Sequence, residues 1–145
     1  FFSGLQSFTI PLVVIYVSIF IVALGTVLFI WANHTHKVRG GLKRPGVTII
    51  FHREGLYKFI RHPQTLGGGT WFIFFPVILS QYIHFTILTV FAIALMIVSL
   101  YIAAYLGEKE NIEKWGDEYR QYLREVPRFN ILLGIWRHSR RKKSK

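Results

Sequence analysis

Residues 67–107 read GGGTWFIFFPVILSQYIHFTILTVFAIALMIVSLYIAAYLG, and these 41 residues contain no Asp, Glu, Lys or Arg. A helix of about 20 apolar residues spans a hydrocarbon core of about 30 Å, so the stretch suffices for two crossings if a turn divides it. Ser80-Gln81-Tyr82, followed by His84, is the polar cluster at which the chain can reverse. The arm from Thr70 to Leu79 is short and contains Pro76, which predicts a kink or an incomplete span. The arm from Phe85 to Leu106 is long enough to cross with some tilt. A helical hairpin over 67–106 returns the chain to the side it left, so the polar segments before and after it face each other at one interface.

Working outward, Pro11 to Trp31 is an uncharged, predominantly apolar run of 21 residues, which places a first membrane span over 10–32. Ser18, Gly25 and Thr26 are small enough to lie at a helix contact within it. The run is too long for a secretory signal peptide and has no basic region before it. The absence of an initiator Met predicts that the chain begins inside a longer protein. Residues 33–66 turn to His, Lys, Arg, Gly and Pro, with Gly40-Gly41 and Pro45-Gly46 as turn signals, and are expected to form a surface loop. Val47 to Phe51 has strand propensity but lacks a partner strand. Beyond the hairpin, Ile112, Trp115, Tyr119, Tyr122, Leu123 and Val126 recur at helical spacing, which predicts an amphipathic interfacial helix over 107–130. A break at Gly116 with a restart capped by Asp117 is expected inside it. Residues 131–145 form a tail whose basic run from Arg137 is expected to be disordered and lipid-associated.

Composition agrees. An apolar fraction of 52% with a mean hydropathy of +0.36 over 145 residues exceeds what a small soluble core hides. The net charge of +11 does not point to nucleic acid, because all 18 Lys and Arg lie in two segments, Lys37–Arg61 and Lys109–Lys145, each abutting an apolar stretch. That pattern marks the cytoplasmic side of a membrane protein, where anionic headgroups attract it. With no Cys, disulfides and thiolate metal sites are excluded. His34, His36 and His52 lack supporting ligands, so no metal site is expected. The expected class is an all-α integral membrane protein with about three transmembrane helices, an interfacial C-terminal helix, and both the 33–66 loop and the C-terminus cytoplasmic.

Two polar constellations border the hairpin. Arg61-His62-Pro63 leads into a Gly-rich helix entrance, where free backbone N–H groups and little bulk suit an anionic or carboxylate-bearing ligand. Glu108 supplies an acceptor just outside the apolar arm, and Arg128 supplies a fork for carboxylate or phosphate.

Residues 54–129 resemble the isoprenylcysteine carboxyl methyltransferase and phospholipid methyltransferase families of integral membrane enzymes. The resemblance is carried by Gly55-Leu56-Tyr57-Lys58-Phe59-Ile60-Arg61-His62-Pro63, the apolar hairpin, Glu108, Trp115-Gly116-Asp117-Glu118-Tyr119-Arg120-Gln121-Tyr122, and Val126-Pro127-Arg128-Phe129. It implies a helical membrane enzyme using S-adenosylmethionine, with a lipid-like or prenylated substrate entering from the bilayer. Carried over by position, Tyr57, His62, Pro63, Thr65, Gly67 and Glu108 become cofactor contacts, while Arg61, Glu108 and Arg128 become the catalytic set. Thr65 stands where the family usually has Tyr, and Gly107 where it usually has Glu. Methyl transfer to a carboxylate needs alignment and desolvation above all, whereas an amine must be neutral and would call on Glu108 or His62 for its proton. Two other readings of the same pattern are a membrane reductase resembling the sterol reductases and using NADPH, and a non-catalytic subunit of a membrane complex.

Overall fold

The computed structural model describes residues 6–38 and 53–143. Helix α1 (Leu12–Val38) is followed by a 3-10 turn at Gly55–Lys58, then α2 (Pro63–Ile78), α3 (Ile87–Glu125) and α4 (Ile131–Lys143). A pair of two-residue strands, β1 (Ser7–Phe8) and β2 (Phe85–Thr86), ties the approach to α1 to the start of α3, with Phe8 opposite Phe85.

Two of the described helices, α1 and α3, are long and apolar enough to cross a membrane. A core helix of a soluble protein would be mostly covered, yet only 17% and 6% of their most apolar windows is buried. Phe20, Val27, Val90 and Phe91 stand exposed among them. Such surface suits hydrocarbon rather than water. The third expected crossing, α2, has 16 residues with Pro76 inside, about 24 Å of helix, and is extended by a 3-10 turn at Leu79–Gln81. The chain reverses there, and Thr86 and Thr89 form a capping box that starts α3.

Helices α1 and α2 pack antiparallel along a stripe of small groups. On α1 the buried positions Ile15, Ser18, Gly25, Ala32 and His36 recur on one face. A Cβ on Gly25 would collide with the Thr70 side chain, and one on Gly67 would lie 2.5 Å from the Gly25 carbonyl oxygen and 2.8 Å from the Phe29 nitrogen. Close approach of backbones is how membrane helices associate without a hydrophobic drive. Trp71 Nε1 donates to Thr26 Oγ1 at 2.8 Å, and Gln64 Nε2 donates to Asn33 Oδ1 at 3.1 Å.

Several boundaries differ from the sequence expectation. Helix α1 runs past Trp31 to Val38, because Ala32 and His36 continue its buried stripe. Helix α2 starts at Pro63, inside the expected loop, since proline at the first helical position lacks only an N–H that has no helical partner there. The interfacial helix is continuous with the second hairpin arm, bending at Gly116 (φ 53°, ψ −129°), a conformation that suits glycine. The expected disordered tail is the helix α4 through Lys143. Asn130 Oδ1 accepts from the Leu133 N–H at 2.9 Å, and Gly134 allows the helix to press on the Phe59 carbonyl. The Val47–Phe51 segment and His52 lie outside the described residues.

Candidate functional site

The apolar part of α3 ends near Leu106, and the next turn carries Glu108 out of it. Its carboxylate is buried, with the side chain 6% exposed. An isolated carboxylate in such a place is costly, so its partners define the site. They come from both sides of the hairpin. Arg128 grips it with two donors, Nε to Oε1 at 2.9 Å and NH2 to Oε2 at 2.5 Å. His62 Nε2 lies 3.1 Å from Oε1, and Arg61 NH1 forms an ion pair with the same oxygen at 3.4 Å. A carboxylate only accepts, so His62 must carry a proton on Nε2.

Backbone pairing holds these groups together. The Arg61 N–H donates to the Pro127 carbonyl at 3.1 Å, and the His62 N–H to the Arg128 carbonyl at 3.4 Å. The two motifs, distant in sequence, are thereby joined, and Tyr122 Oη donates to the Tyr57 carbonyl at 2.8 Å between the same two segments. Arg128 lies over the Tyr101 ring, 4.5 Å from its centroid, and 6.0 Å from that of Tyr105. Phe129 sits between the His62 and Tyr101 rings. Below the cluster, Tyr119 and Tyr122 form a buried core with Val126, and Asn111 donates to Tyr119 Oη at 3.1 Å.

The electrostatics follow. Burial pushes the Glu108 carboxyl up, but hydrogen bonds from His62 and Arg128 and the charge of Arg61 outweigh it and hold it down at about 2. Burial pulls Arg61 below its ordinary value, Glu108 opposes this, and Arg128 adds to it. For Arg128 the hydrogen bond to Glu108 prevails and raises it. Two guanidinium groups face one carboxylate, which leaves one positive charge in surplus. Arg61 Nε is buried with no hydrogen-bond partner among the described residues.

Of the residues expected from sequence, Arg61, His62, Glu108 and Arg128 converge. Pro63 is fully buried at the start of α2, beside His62. Tyr57 is buried beside the edge of His36, with ring centroids 5.2 Å apart. Thr65 is half-buried in the first turn of α2, and Gly67 faces α1. Sequence reasoning missed Tyr101 and Tyr105. The available signal was their spacing from Glu108, seven and three residues along one helix face.

Over 84 residues, 58% of the chain, the sequence is 34% identical to methanethiol S-methyltransferase 1 of Bradyrhizobium diazoefficiens. The match spans 26% of that protein's length. No family model matches the chain, and no solved structure matches it.

Proposed function

We propose that the chain is part of an integral membrane methyltransferase that uses S-adenosylmethionine, with its reaction centre at the Glu108 cluster and its methyl acceptor an anionic group, carboxylate or thiolate, on a molecule entering from the bilayer. The observation that carries the reading is the convergence of Arg61, His62 and Arg128 on one buried carboxylate at the mouth of an apolar hairpin. The partial match to a protein named for methyl transfer to sulfur supports it, and so does the resemblance of residues 54–129 to membrane methyltransferases.

The residues fit such a cofactor. Its amino-acid end bears a carboxylate, for which Arg61 offers a buried unpaired Nε and the cluster a surplus positive charge. Arg61 and Arg128 would hold that end, with Glu108 and His62 fixing their directions. When bound, the group supplies a methyl on a sulfonium centre, an electrophile needing no acid to activate it.

What the chain contributes is then placement and charge. Glu108, held at about 2, is too weak a base to take a proton at neutral pH, and its oxygens are already taken by their donors. An ammonium acceptor would meet repulsion from the surplus charge and find no base there. An acceptor that is already an anion gains from that charge and loses its water against the Tyr101 and Tyr105 rings. Those rings are half exposed on the apolar side of α3, which gives a bilayer-borne molecule an approach. The charge bias of the flanking segments supports a cytoplasmic placement of this end of the bundle.

Two measurements test the proposal. Titration calorimetry in detergent should detect saturable binding of S-adenosylhomocysteine, lost in Arg61→Ala. Binding of NADPH instead would favour a reductase, and a stoichiometric partner with neither ligand bound would favour a non-catalytic subunit. Transfer of labelled methyl to matched thiol, carboxylate and amine amphiphiles should label the first or second. Labelling of the amine alone would overturn the assignment of an anionic acceptor.

A further inference from the structure

Away from the Glu108 cluster, a cavity of about 490 Å³ opens between the segment before α2, the end of α3 and the polar face of α4. Its polar walls are Arg53, Lys58, Glu125, His138, Arg141 and Lys142. Tyr122 and Val126, both buried, line it as well. None of these walls bonds to Glu108.

The charge in this cavity is unbalanced. Glu125 is shared by Arg53 at 3.5 Å and Arg141 at 2.5 Å, so one carboxylate serves two guanidinium groups. Gln121 Nε2 donates to Glu125 at 2.9 Å and fixes it further. Lys58 and Lys142 add two ammonium groups that have no acidic partner among the described residues. Four basic side chains and one carboxylate line the same concave wall, with Lys58 and Lys142 exposed at its surface. Forks held by a fixed carboxylate, with mobile ammonium groups beside them, are the donor set that suits a phosphate group.

Helix α4 has a second face that bears on where the phosphate comes from. Leu132, Ile135 and Trp136 are exposed on it, and Arg140 lies over the Trp136 ring at 4.3 Å. An apolar, Trp-bearing face opposite a basic one is the pattern of a helix lying in a membrane interface. The cavity then opens at headgroup depth.

We propose that this cavity is a phosphate-binding site occupied by the headgroup of an anionic phospholipid. It stands independently of the methyltransferase reading, because no residue of the Glu108 cluster takes part.

The test uses the purified protein in detergent with phosphatidylglycerol, phosphatidylcholine and inorganic phosphate as probes. A basic residue near an anionic surface counts for roughly a factor of five in affinity, so Lys58→Ala/Lys142→Ala should weaken retention of phosphatidylglycerol by about 30-fold. Phosphatidylcholine should be unaffected. The comparison variant Arg140→Ala/Lys143→Ala removes equal charge from α4 outside the cavity and should change retention much less. Thermal stabilisation by inorganic phosphate, lost in the first variant and without lipid selectivity, would support the site and assign it to a soluble phosphate. Equal losses in both variants would mean diffuse attraction and overturn the proposal. So would binding of neither phosphate probe above the phosphatidylcholine level by a wild-type protein whose circular dichroism is helical.

Discussion

Glu108→Gln keeps the shape of the side chain and removes its charge, leaving Arg61 and Arg128 facing each other with no counter-ion. A carboxyl held at about 2 rather than its ordinary 4.5 corresponds to about 3 kcal/mol of native-state stability. Breaking a buried pair from one side costs roughly 3–5 kcal/mol in other proteins, which is consistent. The variant should therefore be about 3 kcal/mol less stable at pH 7 when unfolded in mixed micelles and followed by circular dichroism. The sign with pH is fixed by the direction of the shift. Because the folded carboxyl is depressed, its contribution is complete above about 4.5 and is lost as pH falls toward 2. By pH 3 roughly half should remain, so the gap between wild type and variant must narrow on acidification. Adding Arg128→Gln to the variant should recover part of the loss, since it removes one of the stranded charges. A gap below about 0.5 kcal/mol at pH 7, within the range of an ordinary surface change, would refute the reasoning. So would a gap that stays constant down to pH 3.

Gly67→Ala sets a methyl group against the backbone of Gly25 and Phe29, which cannot rotate away, so α1 and α2 must separate at a cost of about 1–3 kcal/mol in the same unfolding assay. Tyr122→Phe removes the hydroxyl that donates to the Tyr57 carbonyl and should cost about 1–2 kcal/mol with little change in helix content by circular dichroism. Gly134→Ala collides with the Phe59 carbonyl and should undock α4, seen as faster tryptic cleavage at Arg137 to Lys143.

The bilayer-facing part of the fold was legible because lipid imposes a coarse rule: long uncharged runs must be helical, and charge must stay outside. The hairpin, the first span and the bend at Gly116 are all visible in composition and in one glycine. The beginning of α2 was obscured because Gly67-Gly68-Gly69 lowers helix propensity, and only the crossing with Gly25 makes those residues favourable. The fold of the tail was obscured for the opposite reason. Arg137 to Lys143 repel one another in isolation, but Arg137 reaches the Arg124 carbonyl and Arg141 reaches Glu125, contacts between segments that no local pattern announces. At the candidate site, sequence supplied Arg61, Glu108 and Arg128 as ligand-binding groups of one shared site. Their principal contacts are with one another, and pairing of this kind is a property of the packed state.

Two prolines account for how that packed state comes about. A residue before proline is kept out of the helical region, and His62 (φ −124°) and Val126 (φ −115°, ψ 128°) are both such residues. Pro63 therefore fixes where α2 begins, and Pro127 contributes to where α3 ends, each leaving a non-helical residue just outside its helix. The chain beside those residues is what pairs, through the N–H groups of Arg61 and His62 and the carbonyls of Pro127 and Arg128. The pairing is short, because Pro63 has no N–H to continue it. A longer ladder would draw the two segments into a flat strand pair and carry the side chains along it. A two-bond clasp instead fastens the segments at one point, next to Glu108, where a buried carboxylate needs its cations. The local rule at each proline and the distant demand of one charge thus meet at the same clasp.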